Sequence, residues 1–192
     1  MTDHPRPFTL LQRVLHWLMA ICILAMLFID VAMVSTLGPD YLALVAIHKS
    51  LGITVLALVV VRLVERWRSG TPPLPADLPE PMKLAATLSH YLLYALMIVM
   101  PLLGWAMLSA ARYPVVVFGS VRLPPIAPPS RELHSLLWGA HHYLAFLFFA
   151  LVLGHLAAAL FHALIRKDGV FASMTVASDD GGISAPGRNP PT

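Results

Sequence analysis

Four long apolar segments, separated by short polar or proline-rich stretches, dominate the pattern of the chain. They cover about residues 14–34, 41–64, 88–108 and 136–165. A helix needs about 20 mostly apolar residues to cross the hydrocarbon core of a bilayer, and each segment meets that length. The pattern therefore predicts an all-α integral membrane protein, an up-down bundle of four transmembrane helices.

The stretches between these segments predict where the chain leaves the membrane. Residues 71–81 contain five prolines and are too proline-rich to be helical. Residues 110–131 also contain five prolines and form the longest connection, and a surface loop of that length is usually functional. We expect residues 1–171 to form one transmembrane domain and residues 172–192 to be a disordered cytoplasmic tail.

The composition is typical of a membrane protein, and it excludes several kinds of functional site. Hydrophobic residues make up 58% of the chain and charged residues only 12%. The single cysteine, Cys22, excludes a disulfide framework, a cysteine-based zinc site and covalent attachment of haem through a C-x-x-C-H motif. The net charge of +3 comes without a basic stripe, which argues against a nucleic acid partner.

The distribution of Lys and Arg predicts the orientation of the helices. With both termini inside, nine of the 13 basic residues fall on the inner side and four on the outer side. This asymmetry favours cytoplasmic termini. Asp30, near the far end of the first segment, is expected to reach the outer interface.

Histidines inside the apolar segments are the main chemical signal. Imidazoles are costly in a membrane and usually face the interior of a bundle or a cofactor. His141 and His155 are 14 residues apart (155 − 141), so they lie roughly 40° from a shared helix face and roughly 21 Å apart along it. That spacing suits two stacked haems, each with one axial histidine from this helix.

Depth in the membrane suggests which histidines could share a haem. At about 1.5 Å per residue, His48 lies about 10 Å and His141 about 8 Å from the outer ends of their helices. His16 and His155 lie about 27 Å and about 29 Å from the outer ends. We therefore expect His48 with His141 at an outer haem and His16 with His155 at an inner one. His90, at a depth of about 27 Å, competes for the inner site.

Five motifs surround these histidines and the loops between the helices. They are LQRVLHW at 11–17, IHKSLGI at 47–53, VVRLVERW followed by TPPLP, SHYLLYALMIVMPLLGW at 89–105 and GHLAAALFHALIRKDG at 154–169. Together they resemble the bacterial cytochrome b561 family of small diheme, quinone-linked membrane cytochromes. In this family two non-covalent b haems are held by histidines of the first, second and fourth helices, and the matching positions are the four histidines that depth selects.

The resemblance implies an activity as well as a cofactor. Similar stand-alone members include a superoxide oxidase of the bacterial inner membrane, which passes electrons from superoxide through both haems to ubiquinone. Basic residues predicted on the outer side would attract that anion, and we single out Arg112, Arg122 and Lys49. Candidates for a quinone site at the inner face are His90, His162 and Lys167.

Two other functions are consistent with the same pattern. The chain could be a cytochrome b subunit that anchors a larger dehydrogenase or hydrogenase, with residues 110–131 as the docking surface for an iron–sulfur partner. A histidine-lined metal or proton transporter is the third interpretation, but the sequence lacks intramembrane carboxylates to pair with the histidines.

Overall fold

The computed structural model describes residues 8–75 and 77–175, and these residues form four long helices. They are α1 (Leu10–Ser35), α2 (Asp40–Ser69), α3 (Glu80–Ala110) and α4 (Arg131–Phe161). All four are long and apolar enough to cross a membrane. The predicted all-α, four-helix membrane fold is confirmed.

Each helix begins before the apolar segment that predicted it, and polar residues cap α1 and α4 outside their segments. Thr9 and Gln12 form a reciprocal capping box at α1, with hydrogen bonds of 3.1 and 3.2 Å. Ser130 caps α4 by accepting a hydrogen bond from the backbone N–H of Leu133 at 3.1 Å. We expected residues 71–81 to be non-helical, and this was wrong for residues 80 and 81. Helix α3 begins at Glu80 and has a proline in its first turn.

The connection between α3 and α4 contains a small antiparallel hairpin that the sequence analysis did not predict. Its strands are β1 (Val115–Val117) and β2 (Val121–Leu123), and Val117 pairs with Val121 across the turn. Val117 is fully buried, and the backbone N–H of Phe118 donates to Ser50 Oγ at 2.9 Å. The hairpin therefore packs on α2 close to His48.

The chain after α4 is ordered further than expected. A π-helical turn (His162–Arg166) extends α4, and a short helix, α5, follows at Ala172–Thr175. Trp17 donates its indole N–H to the carbonyl of Met174 at 2.9 Å, which ties this segment to α1. Residues 172–175 are therefore helical instead of disordered, and residues 176–192 lie outside the described part of the chain.

The best-packed region of the bundle lies at mid-height. Its cluster of buried side chains comes from α1, α2 and α3, and Phe148 of α4 packs against it. Phe148 lies seven residues from both His141 and His155 (148 − 141 and 155 − 148), so this cluster separates the two predicted haem levels. The buried members are Met19, Cys22, Val55, Val59 and Met97.

Candidate functional site

The structure brings His48 of α2 and His141 of α4 together at the predicted outer level. Their ring centres are 6.3 Å apart, and the ring planes are inclined at 66°. Depth along the helices had predicted this pair. Gly104 of α3 lies beside it, since a Cβ atom on this glycine would be 3.3 Å from His141 Cε1.

At the inner level His16 of α1 faces His155 of α4. Their ring centres are also 6.3 Å apart, with the planes inclined at 69°. His90 of α3 also contacts His155, with the two ring centres 5.4 Å apart. The competitor noted in the sequence is therefore part of the same histidine cluster.

The two 6.3 Å separations fit an axial pair on one haem iron each. A metal–imidazole bond of about 2.0–2.1 Å plus roughly 1 Å from nitrogen to ring centre, taken twice, gives about 6 Å. The shorter distance between His90 and His155 fits a neighbouring ring better than a second ligand.

The donor set also favours haem over a bare metal ion. Among the described residues, no group of three or more His, Cys, Asp or Glu side chains could hold a metal ion. A bare ion such as zinc needs three or four protein ligands. A haem brings four nitrogens of its own and needs only two axial ligands, which each pair can supply.

Two charged groups next to these pairs were not assigned to them from the sequence. Asp30 Oδ1 lies 2.8 Å from Nδ1 of His48, although the Asp30 side chain is 35% exposed. The expectation that no carboxylate of the helices pairs with a histidine was therefore wrong. Arg62 donates from Nη1 to the carbonyl of Gln12 and from Nε to the Tyr94 hydroxyl, both at 2.9 Å. These bonds hold its guanidinium inside the bundle, one turn from His16 and from His90.

Two of the three predicted anion-attracting residues share one cavity. Arg112 and Arg122 both line an outer cavity of about 360 Å³ between the end of α3 and the hairpin, while Lys49 does not line it. Arg112 has a left-handed backbone (φ 61°) at the C-terminus of α3, a conformation that favours glycine. Arg112 therefore occupies a position where its backbone conformation is strained.

The inner face carries a network around Asp168. Its Oδ2 accepts hydrogen bonds from His162 Nδ1 at 2.6 Å and from Arg166 Nε at 3.0 Å. Arg166 also donates to Asp77 at 2.7 Å. Burial acts to raise the pKa of Asp168, but the hydrogen bonds from His162 and Arg166 outweigh it and hold the pKa below its usual value. Lys167 follows in a left-handed conformation (φ 52°).

The profile of the prokaryotic cytochrome b561 family matches residues 7–176 of the chain. The chain belongs to the prokaryotic cytochrome b561 family. It is 30% identical to "Cytochrome b561 homolog 2" of Escherichia coli K12 over 178 residues, which covers 90% of this chain and 93% of the relative. This cytochrome b561 is also 31% identical over 134 residues to "Cytochrome b561 homolog 1" of the same organism, covering 70% and 76%.

A further relative bears an enzyme name. The "Probable superoxide oxidase CybB" of Yersinia pestis is 31% identical over 129 residues, which covers 67% of this cytochrome b561 and 72% of the relative. The family membership confirms the resemblance found in the motifs. It makes the chain a multi-pass bacterial membrane protein that carries haem b and transfers electrons.

Substituting Gly104 by alanine should weaken binding at the outer histidine pair. The new Cβ would lie 3.3 Å from Cε1 of His141, so the ring must shift to make room. We expect the haem content of purified protein to fall below that of the wild type, measured by pyridine haemochrome absorbance against protein concentration. Gly139→Ala is the matched control, because a Cβ there meets nothing within 4 Å. Equal haem content in the two variants would contradict the prediction.

Proposed function

We propose that this cytochrome b561 is a superoxide:ubiquinone oxidoreductase with two haem b groups. His48 and His141 would hold the outer group, and His16 and His155 the inner one. The choice of substrate rests on the outer cavity, which Arg112 and Arg122 both line. The cavity begins at Ser109, five residues beyond Gly104 on α3, so it opens about 8 Å along the helix from the outer pair.

The residues of the outer cavity suit a small anion. Two guanidinium groups in one concave site attract superoxide and raise its local concentration. Superoxide needs only to lose one electron to leave as O₂, so this end of the protein requires no catalytic acid. Haem supplies the one-electron chemistry when bound, and the two histidine pairs would hold its iron.

The inner face suits a reaction that consumes protons. Reduction of ubiquinone to ubiquinol takes two electrons and two protons, so two superoxide ions are used for each quinone. His90 lies next to the inner pair, and His162 and Lys167 lie where the chain leaves the bundle. Asp168 accepts a hydrogen bond from His162 and so orients its imidazole. With this orientation of the chain the quinone site faces the cytoplasm, and both termini are cytoplasmic.

A second candidate function is supported by the hairpin. Tyr113 and Phe118 are each 63% exposed and Val121 is 50% exposed, so apolar side chains cluster on the outer surface. Such a surface would suit a partner subunit. The alternative is therefore an electron-transfer subunit that anchors a dehydrogenase or hydrogenase complex in the membrane.

Rapid mixing of the purified protein with superoxide, with and without ubiquinone, tests the proposal. We expect fast reduction of the haem absorbance bands by superoxide, followed by reoxidation only when quinone is present. Haems that do not react with superoxide would overturn the enzyme assignment, and co-purification of a large redox partner from native membranes would then favour the subunit. A protein without haem would overturn both.

A further inference from the structure

One spacing recurs on all four helices of the bundle. Each helix carries two of the residues that define the site, and in every case these residues are 14 positions apart, so both lie near one helix face and roughly 21 Å apart. The outer level receives one residue from each helix, and so does the inner level. The pairs, written outer then inner, are Asp30 and His16, His48 and Arg62, Gly104 and His90, and His141 and His155.

Each level receives four residues, one of which carries a formal charge, and the two charges are opposite in sign. The outer level contains a carboxylate, Asp30, at 2.8 Å from Nδ1 of His48. The inner level contains a guanidinium, Arg62, which is fixed by hydrogen bonds to α1 and to α3. Among the described residues, no ion pair joins a carboxylate to His16 or His155.

Asp30 and His48 are close enough for an electrostatic interaction, but their atoms are not aligned for a hydrogen bond. Nδ1 of His48 is buried and has no well-aligned hydrogen bond, although the carboxylate oxygen is only 2.8 Å away. Polar contacts at redox and catalytic sites are often poorly aligned in ligand-free structures. The position of the carboxylate favours the tautomer with the proton on Nδ1, which leaves Nε2 free as the ligand nitrogen.

We propose that Asp30 and Arg62 shift the potentials of the two haems in opposite directions and make the outer haem the weaker oxidant. Asp30 is a positioning residue that acts through His48. A carboxylate next to an axial histidine makes the imidazole a stronger donor and stabilises the ferric state, which lowers the reduction potential. A fixed positive charge beside the inner pair stabilises the ferrous state, which raises it.

The difference in reduction potential between the two haems would set the direction of electron transfer. One electron would pass from the outer haem to the inner haem, which oxidises the first and reduces the second without exchange of a proton or a bond. Because the acceptor has the higher potential, transfer from the outer to the inner level is downhill. The other cations at the outer side are less effective, since Arg112 and Arg122 line an open cavity, where solvent screens their charges.

The inference rests on the proposed pairs of haem ligands but not on superoxide as the donor. An equilibrium redox titration of the haem absorbance of wild type and Asp30→Asn tests it. We expect two one-electron components in the wild type, the lower belonging to the outer haem. In Asp30→Asn the ferric-to-ferrous ratio of that component should fall about tenfold at a fixed potential, an upward shift of about 59 mV.

Matched variants separate the effect of Asp30 from general changes. Asp40→Asn removes a carboxylate from the same outer side, eight residues before His48 (48 − 40), and should shift neither component. Asp30→Glu should keep the lower potential low. If Asp30→Asn loses the outer haem, retention of that haem at its wild-type potential in Asp30→Glu supports the proposal. Altered potential in Asp30→Glu, or two unshifted components in Asp30→Asn, would overturn it.

Arg62→Gln provides the opposite test at the inner level. The higher component should fall in potential, while Tyr94→Phe, which loses the hydrogen bond but keeps the guanidinium, should change it much less. Equal shifts in the two variants would show that Arg62 acts only through packing and would overturn its part of the proposal. Absence of haem from the wild type would instead overturn the proposed function.

Discussion

Replacing His155 by alanine is expected to remove the inner haem and to abolish quinone reduction, while the outer haem remains. His155 is the only histidine that α4 contributes to the inner pair, and its ring centre lies 6.3 Å from that of His16. In the proposed inner site the iron would have two protein ligands, and this substitution would remove one of them. Haem content should fall from two to one per chain, and reduction of the remaining haem by superoxide should persist without reoxidation by ubiquinone.

The same measurement on His16 and His90 decides which of them completes the inner site. The 6.3 Å separation favours His16 as the ligand, and the 5.4 Å separation places His90 beside the site. His16→Ala should therefore lose the inner haem, and His90→Ala should keep both haems. His142→Ala is a further control, because His142 stacks on Trp138 away from the pairs, with ring centres 5.4 Å apart. If His90→Ala loses a haem and His16→Ala keeps both, the assignment is reversed.

The helices and the histidine pairs could be predicted because each depends on regular geometry. An apolar segment of sufficient length has few structures available in a membrane, since its backbone must satisfy its own hydrogen bonds. Within a straight helix, residue number converts directly into depth and direction. The pairing of His48 with His141 and of His16 with His155 follows from those two quantities, and both pairs come together in the structure.

The charged residues next to the histidine pairs show the same 14-residue spacing, but only the spacing between histidines was used to predict the site. Asp30 lies 14 residues after His16, and Arg62 lies 14 residues after His48. Applied to every polar residue, the spacing would also have directed Asp30 towards the outer pair. Charged residues near helix ends usually reach water, and this tendency accounts for the exposed part of the Asp30 side chain but not for its contact with His48.

Features outside the helices depend on tertiary contacts that the sequence pattern does not express. The hairpin in the connection after α3 has strands of only three residues, and the bond from Phe118 to Ser50 on α2 helps to hold it. Residues 172–175 show no pattern in sequence that predicts a helix, but the indole N–H of Trp17 donates to the carbonyl of Met174. In both cases the stabilising partner is distant in sequence, so local propensity gave no indication of order.

Substituting Arg112 and Arg122 together by glutamine is expected to slow reduction of the protein by superoxide at least about tenfold at low ionic strength. Both side chains line the outer cavity, so the double variant removes its two guanidinium charges but retains polar side chains. The pseudo-first-order rate of haem reduction after rapid mixing measures the effect. Reduction by dithionite to the same final absorbance would show that both haems are still bound and accessible.

Two matched variants determine whether the cavity or the general outer charge is responsible. Lys49→Gln and Arg131→Gln each remove one outer positive charge, but neither residue lines the cavity. If superoxide is guided into the cavity, these variants should slow the reaction much less than either single substitution of Arg112 or Arg122. Equal effects of all four single substitutions would favour a diffuse field over a defined site.

Ionic strength provides the independent test of the same electrostatic interaction. The Debye length falls from about 30 Å at 0.01 M salt to about 10 Å at 0.1 M, so the wild-type rate should decrease steeply over this range. The double variant has lost the charges that salt would screen, and its rate should depend much less on salt. The two rates should therefore converge as salt increases. Parallel salt dependences would show that superoxide reaches the outer haem without using Arg112 or Arg122.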